Sequence, residues 1–464
     1  MPRRVYIQTV GCQMNVLDSE LVAAELVAAG HALVDSARKA DTILLNTCSV
    51  RAHAEEKVYS ALGRLKHYKQ QFPGRIIGVL GCMAQKDRET ILRRAPHVDL
   101  VVGPGQLHRI RALIELVAAG GGPVIEVSLD RGEGNRAEVT ESFARFDPPR
   151  LPRVRSAPCQ ALVRIMFGCD KFCSYCIVPR VRGPEQSRPA RQVLDEVRQL
   201  ADGGCLEVTL LGQTVNSYRD TSSGRTLVLA DLLHAVAAVE GIRRIRFVTN
   251  HPRHMTRDLI QAVRDLPNVC PYFHVPAQSG SDAVLARMKR GYTAGEYEEM
   301  LAAIRGEVPG AAVTSDFIVG FPGETEDDFA RTVGLVERAR FKNSFIFKYS
   351  PRPGTLAAER HPDDVPESVK RRRNNELLAI QNAISLEDSL PLRGRRVEIL
   401  VEGPSKVEKK SAAARVRTVA NVQLVGRTRD DRIVVFDAVP ELAGRIVEVE
   451  IERADAFTLF GRLV

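Results

Sequence analysis

Nowhere in its 464 residues does the sequence carry an apolar run long enough to cross a bilayer, which takes about 20 consecutive residues. Met1-Pro2-Arg3-Arg4 leads straight into a strand-like run, without the apolar stretch and cleavage site of a secretory leader. The expectation is a cytoplasmic protein with no membrane partner. A disulfide framework is missing too, since the nine cysteines are odd in number and scattered at 12, 48, 82, 159, 169, 173, 176, 205 and 270. In a reducing compartment such thiols bind metal or do catalysis. Acidic residues are the minority charge, with 57 Asp and Glu against 66 Lys and Arg. That balance favours a polyanionic partner. Two or three domains are expected at this length.

What the sequence has is concentrated at Gly168-Cys169-Asp170-Lys171-Phe172-Cys173-Ser174-Tyr175-Cys176. Three thiolates at C-x₃-C-x₂-C fit one tight loop and reach three corners of a single [4Fe–4S] cluster. No fourth cysteine accompanies them in the loop, so one iron stays open, as in catalytic metal sites. Structural zinc is the alternative, but it wants four ligands and no histidine follows at finger spacing. Residues 161–167 read as a buried strand, which puts the loop at a strand's carboxyl end.

Residues 4–10, 42–46 and 75–80 also read as buried strands. Helical patterns over 18–29, 52–70 and 86–95 separate them, with Gly30 just past the first helix. The alternation predicts an α/β fold with a parallel sheet. Each strand ends one or two residues before a cysteine: Gly11-Cys12, Thr47-Cys48 and Gly81-Cys82. Carboxyl ends of such strands converge on the ligand crevice, so these cysteines meet at one edge. Free cysteines often pack as small hydrophobes. The repeated placement favours instead a second [4Fe–4S] cluster, again with an open iron.

A first domain over 1–142 is followed by a linker at 143–158, where Pro148, Pro149, Pro152 and Pro158 stand among arginines. Within 159–388, strand-like runs at 161–167, 206–211, 244–249, 272–277, 313–319 and 344–349 alternate with helical patterns. They predict a partial (β/α)₆ barrel with its site at the carboxyl mouth of the strands. Cys159, Cys205, Cys270 and His274 read as core residues. A helix over 366–386 opens on Lys370-Arg371-Arg372-Arg373, which reads as a solvated basic face. From 389 to 464, Val/Ile-rich segments at 396–401, 421–425, 432–436 and 445–451 predict a small β-barrel. Phe457 and Phe460 are candidates there for stacking on bases or for packing.

The C-x₃-C-x₂-C loop resembles that of the radical S-adenosylmethionine enzymes. Gly11-Cys12-Gln13-Met14-Asn15, Asn46-Thr47-Cys48-Ser49-Val50-Arg51 and Gly81-Cys82-Met83-Ala84-Gln85 are similar to motifs of the methylthiotransferases. Within them the likeness is to the branch acting on an isopentenylated adenosine of tRNA, and it covers nearly the whole chain. The last part resembles the TRAM domain, a basic RNA-binding barrel, whose removal is expected to weaken tRNA binding and spare S-adenosylmethionine cleavage.

The resemblance implies two [4Fe–4S] clusters, one on Cys12, Cys48 and Cys82 and one on Cys169, Cys173 and Cys176. S-adenosylmethionine binds the open iron of the second and is cleaved to a 5′-deoxyadenosyl radical. Gln213 is implied to face the methionine part of that cofactor and Gln278 the ribose. Gly320, within residues 315–324, approaches the adenine through its backbone. Phe172 and Tyr175 are candidates to stack on adenine or to pack the loop. The implied reaction replaces C2–H of an N6-isopentenyladenosine beside the anticodon by C2–SCH₃. Its partners are the tRNA anticodon loop, an electron-donor protein and a sulfur source. Two related activities share the clusters, one on a ribosomal-protein aspartate and one on a different modified adenosine of tRNA. The aspartate-modifying branch usually has Gly-Cys-Pro-Lys-Asn where this chain has Gln13-Met14. Asn250-His251-Pro252 departs from the family's Ser-His-Pro only at its first position.

Overall fold

The computed structural model describes residues 2–49, 52–127, 150–155, 157–408 and 421–464. The expected boundary at 142, residues 143–149 and 156 of the expected linker, and Val50 and Arg51 of the second cysteine motif lie outside the described residues.

Six parallel strands form the amino-terminal sheet, in the order Ala32–Leu33, Arg4–Val10, Thr42–Thr47, Ile76–Gly81, Leu100–Val102, Val124–Glu126. The strands are apolar on both faces because helices cover both. Ile43 and Leu45 pack with Leu62 and Leu65 of helix Ala52–Gln71, whereas Leu44 packs with Leu17 and Leu21 of helix Gln13–Ala28. The strands expected from the sequence are present. Ala32–Leu33, Leu100–Val102 and Val124–Glu126 were not foreseen, since two or three residues are too few to show a pattern. The first helix starts at Gln13 rather than at 18, with Cys12 as its N-cap. Gly30, at φ 87°, ends it as expected. The pattern over 86–95 is instead two short helices, Cys82–Asp87 and Glu89–Arg94, broken at Arg88 where φ is 43°.

In the central part, Gln160–Arg164, Glu207–Leu211 and Arg244–Phe247 form one parallel sheet, and Tyr272–His274, Ala312–Val319 and Asn343–Lys348 another. The N–H of Asn250 donates to the His274 carbonyl (3.0 Å) and that of Thr249 to His274 Nδ1 (3.2 Å), which joins the halves into a partial (β/α)₆ barrel. Ala161 and Val163 pack outward against Val193 and Val197 of helix Ala190–Asp202. The opposite face, with Leu162, Leu211 and Val248, packs against the cluster that holds Leu17 and Leu21. Helix Gln13–Ala28 therefore lies on the inner face of the first half-barrel. The strand expected over 161–167 stops at Arg164, and Met166–Phe167 turns away to pair with Gln186–Ser187. That hairpin closes the base of the cysteine loop.

A closed five-stranded barrel ends the chain: Arg396–Pro404, Val422–Thr428, Ile433–Ala438, Thr458–Leu463, Ile446–Ala454 in spatial order. The strand Thr458–Leu463 was not foreseen. Its Phe460 is partly buried under the Arg453 guanidinium, 3.8 Å from the ring centroid, while Phe457 is half exposed. This barrel sits on the amino ends of the central strands. Arg244 donates to the Arg427 carbonyl (2.7 Å) and Glu398 (2.8 Å), and Arg246 to the carbonyls of Thr428 (2.7 Å) and Arg429 (2.9 Å). Lys342 donates to the carbonyls of Asp430 (2.9 Å) and Asp431 (2.6 Å). The C-terminal barrel thus closes the floor of the central one, away from the cysteine loop.

Cys159, Cys205 and Cys270 are buried, as expected of core residues. His274 is bonded at both ring nitrogens, Nε2 lying 3.2 Å from Asp316. The basic run departs from its reading as a solvated face. Lys370 and Arg373 are buried and paired with Asp363 and Glu324, because helix Glu367–Ser389 lies over the segment that carries Glu324 and Glu326.

Candidate functional site

In a sheet of this strand order the chain reverses its direction of winding between Arg4–Val10 and Thr42–Thr47, which opens a crevice at their carboxyl ends. Cys12 and Cys48 stand at those two ends and Cys82 at the end of the next strand. A hydrogen bond from Cys48 is the main cause holding Cys12 down at about 6, helped by the Arg182 charge and the N–H groups of the helix start. Asn15 and Asn46, from the first two motifs, lock helix to strand: Asn15 Nδ2 donates to Asn46 Oδ1 (3.1 Å) and Asn46 Nδ2 to the Asn15 carbonyl (2.9 Å). The motif glycines make room for this. A Cβ on Gly81 would stand 2.3 Å from Asn46 Oδ1, and one on Gly11 2.9 Å from Cys48 Cβ.

The third thiol differs. Burial pushes Cys82 up, and Arg182 Nε donates to its sulfur at 3.2 Å. Arg182 comes from the segment behind the central cysteine loop. Its Nη2 lies 2.8 Å from Asp18, which Arg164 also reaches at 3.2 Å. Ile177, next after Cys176, and Val181 pack on Cys82. The fold therefore sets the two cysteine groups side by side.

The central triad lies on the barrel mouth. Burial pushes Cys169 up, and Cys176 up to about 12. Arg290 Nη1 donates to Cys173 Sγ (3.4 Å), while its Nε bonds the Tyr292 hydroxyl (3.0 Å) and its Nη2 the Pro276 carbonyl (2.9 Å). Cys169 Sγ is 3.7 Å from Thr214 Oγ1. Ser174 anchors the loop: its N–H donates to the Met288 carbonyl (2.9 Å), its hydroxyl to the Arg287 carbonyl (2.8 Å), and its own carbonyl accepts from the Ala357 N–H (2.7 Å).

The remaining residues singled out from the sequence are distributed around that mouth. Gln213 precedes Thr214 just past strand Glu207–Leu211. Gln278 bridges to strand Ala312–Val319 through the Asp316 carbonyl (2.8 Å) and the Ile318 N–H (3.0 Å). Its φ of 72° and that of Thr249 at 70° are strained conformations of the kind that gather at functional sites. Gly320, at φ 71°, donates its N–H to Glu324 (2.6 Å), and a Cβ there would stand 2.3 Å from Lys370 Cγ. Tyr175 meets Phe321 edge-on with centroids 6.5 Å apart, among Val284, Met288 and Tyr349. Phe172 is half exposed at φ 50°. Sequence reading missed Arg182, Asp18 and Arg290, because no spacing links them to the cysteines they serve.

Both triads offer soft thiolates in threes, the donor set of an iron–sulfur cluster with an open iron. Arg182 Nη1, buried beside Cys82, has no acceptor among the described residues, and an anionic group there would supply one. Among the described residues, no three or more His, Cys, Asp or Glu close on a point as ligands of one metal ion do. Thiolates that each meet a separate iron need not converge in that way.

Three family profiles match the chain: the uncharacterized protein family UPF0004 over residues 4–103, the Radical SAM superfamily over 163–336 and the TRAM domain over 391–464. A tRNA-2-methylthio-N(6)-dimethylallyladenosine synthase of Rhodopirellula baltica is 55% identical, over 100% of this chain and 96% of its own length. Proteins of the same name from Bordetella bronchiseptica (45%, covering 99% and 92%) and Moorella thermoacetica (44%, covering 99% and 98%) are similar over comparable spans. Among solved structures, the radical S-adenosylmethionine methyltransferase TsrM from Kitasatospora setae superposes with a TM-score of 0.53 over 77% of each chain, at 15% identity. That likeness is one of fold.

Proposed function

The chain belongs to the tRNA-2-methylthio-N(6)-dimethylallyladenosine synthases, a family of radical S-adenosylmethionine enzymes, and we propose that its two cysteine triads divide the family's reaction between them. The enzyme installs a methylthio group at C2 of an adenosine of tRNA that carries an N6-dimethylallyl group, and it uses S-adenosylmethionine. In our reading that adenosine lies beside the anticodon, in a loop whose unpaired bases can be splayed into a pocket without melting a duplex.

Cys169, Cys173 and Cys176 would hold one [4Fe–4S] cluster, the one that serves S-adenosylmethionine, and Cys12, Cys48 and Cys82 would hold the other. When bound, the first would supply the reductive cleavage of S-adenosylmethionine needed to remove the C2 hydrogen, and the second would supply the sulfur to be methylated. The residues of the chain provide position and shielding. Arg290 ties Cys173 to the floor of the mouth through three donors. Gly320 keeps the turn that brings its segment beside Tyr175, and Gln213 and Gln278 follow the carboxyl ends of strands Glu207–Leu211 and Tyr272–His274 at the same mouth. Basic groups of the C-terminal barrel contact tRNA phosphates. An electron-donor protein and a sulfur source complete the set of partners.

The observation that carries this division is the contact between the amino-terminal triad and the segment that follows the central loop: Ile177 and Val181 packed on Cys82, with Arg182 bonded to its sulfur. Sulfur delivery and hydrogen removal must happen at one carbon, so the two sites have to be neighbours. Anaerobic reconstitution should load about eight irons per chain, four for each cluster. Isopentenylated tRNA treated with loaded enzyme, S-adenosylmethionine and a reductant should yield the methylthio nucleoside by mass spectrometry. Full product formation from a chain that holds only four irons, or zinc uptake without iron, would overturn the division.

A further inference from the structure

We infer that Arg182 is a positioning residue for the amino-terminal triad: a side chain lent by the central cysteine segment that completes the amino-terminal site and sets how readily a cluster there takes up an electron. The inference rests on the assignment of a cluster to Cys12, Cys48 and Cys82.

Arg182 follows the single turn Val178–Val181 behind the central loop and is only 3% exposed. Its Nε donates to Cys82 Sγ at 3.2 Å and its Nη2 lies 2.8 Å from Asp18 Oδ2. Asp18, at 0% exposure, is shared with Arg164. Two guanidiniums, those of Arg182 and Arg164, therefore share the one carboxylate of Asp18. Arg182 Nη1 adds a buried donor without an acceptor among the described residues. Buried charge and unmet donors are costly unless something anionic meets them. Here the neighbours are cysteine sulfurs that become anionic on holding a cluster, and an electron added to that cluster would make the group more negative still. Net charge and hydrogen bonds to sulfur are the protein's levers on such a cluster's potential. At the other triad, all three kinds of Arg290 nitrogen have partners. Of these two arginines only Arg182 keeps a spare donor, although the central segment supplies it.

The test uses the full chain with Cys169, Cys173 and Cys176 replaced by Ala, so that only the amino-terminal triad can be loaded. Iron content is measured after reconstitution, and the midpoint potential is read by titration with electron paramagnetic resonance. Arg182→Gln should lower the one-electron equilibrium constant about tenfold, a shift of ~59 mV downward. Arg182→Lys keeps the charge and loses the planar fork, so its shift should be smaller. Asp18→Asn removes the opposing carboxylate and should move the potential upward. Should Arg182→Gln fail to fold, the opposite shifts of the Lys and Asn variants decide the matter. Unchanged potentials at parental iron content overturn the inference, and so do equal downward shifts in Arg182→Gln and Asp18→Asn, the mark of a merely structural contact. No iron uptake by the parent overturns the cluster assignment and the inference together.

Discussion

The amino-terminal cysteines stand at the ends of three strands and are drawn together by a sheet, whereas the central ones share a single loop that is held from outside. Their surroundings differ in the same way. A hydrogen bond from Cys48, the Arg182 charge and a helix start hold Cys12 at about 6, while burial pushes Cys176 up to about 12. At the first site Cys12, unlike the buried Cys82, favours the thiolate before metal arrives. At the second, metal must displace protons from buried thiols. Two sites with one donor chemistry can therefore load, react and fail under different conditions.

The widest separation is expected from replacing whole triads. Cys169/Cys173/Cys176→Ala should reduce 5′-deoxyadenosine formation to background, whereas Cys12/Cys48/Cys82→Ala should leave it and abolish only the methylthio product. Chromatography of the nucleosides measures both. A folded Cys12/Cys48/Cys82 variant that still makes the product would remove the comparison altogether.

Truncation tests the outside support. Cutting the chain before residue 393 leaves Arg244, Arg246 and Lys342 without their partners on the C-terminal barrel. The cut also uncovers the apolar surface that Cys159 and Leu206 bury against Leu400 and Ile446. The truncated chain should therefore unfold at lower temperature and lose S-adenosylmethionine cleavage along with tRNA affinity. The reading in which the barrel only grips RNA took no account of this floor. Cleavage at the parental rate in the truncated chain would restore it.

Gly320→Ala places a side chain at φ 71° and against Lys370. Strain of this kind costs about 1–3 kcal/mol. We expect KM for S-adenosylmethionine to rise about tenfold, the equivalent of 1.4 kcal/mol, with no loss of iron at the amino-terminal triad. Steady-state kinetics and iron analysis of the same preparation check both halves.

The smallest effect is one of pH on the metal-free chain. Cys12 is held below its ordinary 9.0, so its contribution to stability is fully present above about 9 and is lost as pH falls through about 6. Its alkylation should slow over the same range, while Cys176 stays unreactive throughout. Peptide mass spectrometry after brief iodoacetamide treatment separates the two. Equal labelling at neutral pH would show that the sites do not differ as described.

Runs of apolar residues and the spacing of Cys169, Cys173 and Cys176 are local features, so the sequence alone determined the strand-ending cysteines, the loop and the three-part architecture. It was least legible where elements are too short for a pattern, as at Leu100–Val102, or where charge hides its partner, as at Lys370 and Arg373. What lies beside what was decided only by the tertiary structure. Arg182 and Cys82 are 100 residues apart, and no periodicity links a guanidinium on one turn to a thiol on another. Their meeting follows from helix Gln13–Ala28 packing into the first half-barrel, a matter of how two apolar faces fit. The same fit places the segment behind the central loop against Cys82 of the amino-terminal triad.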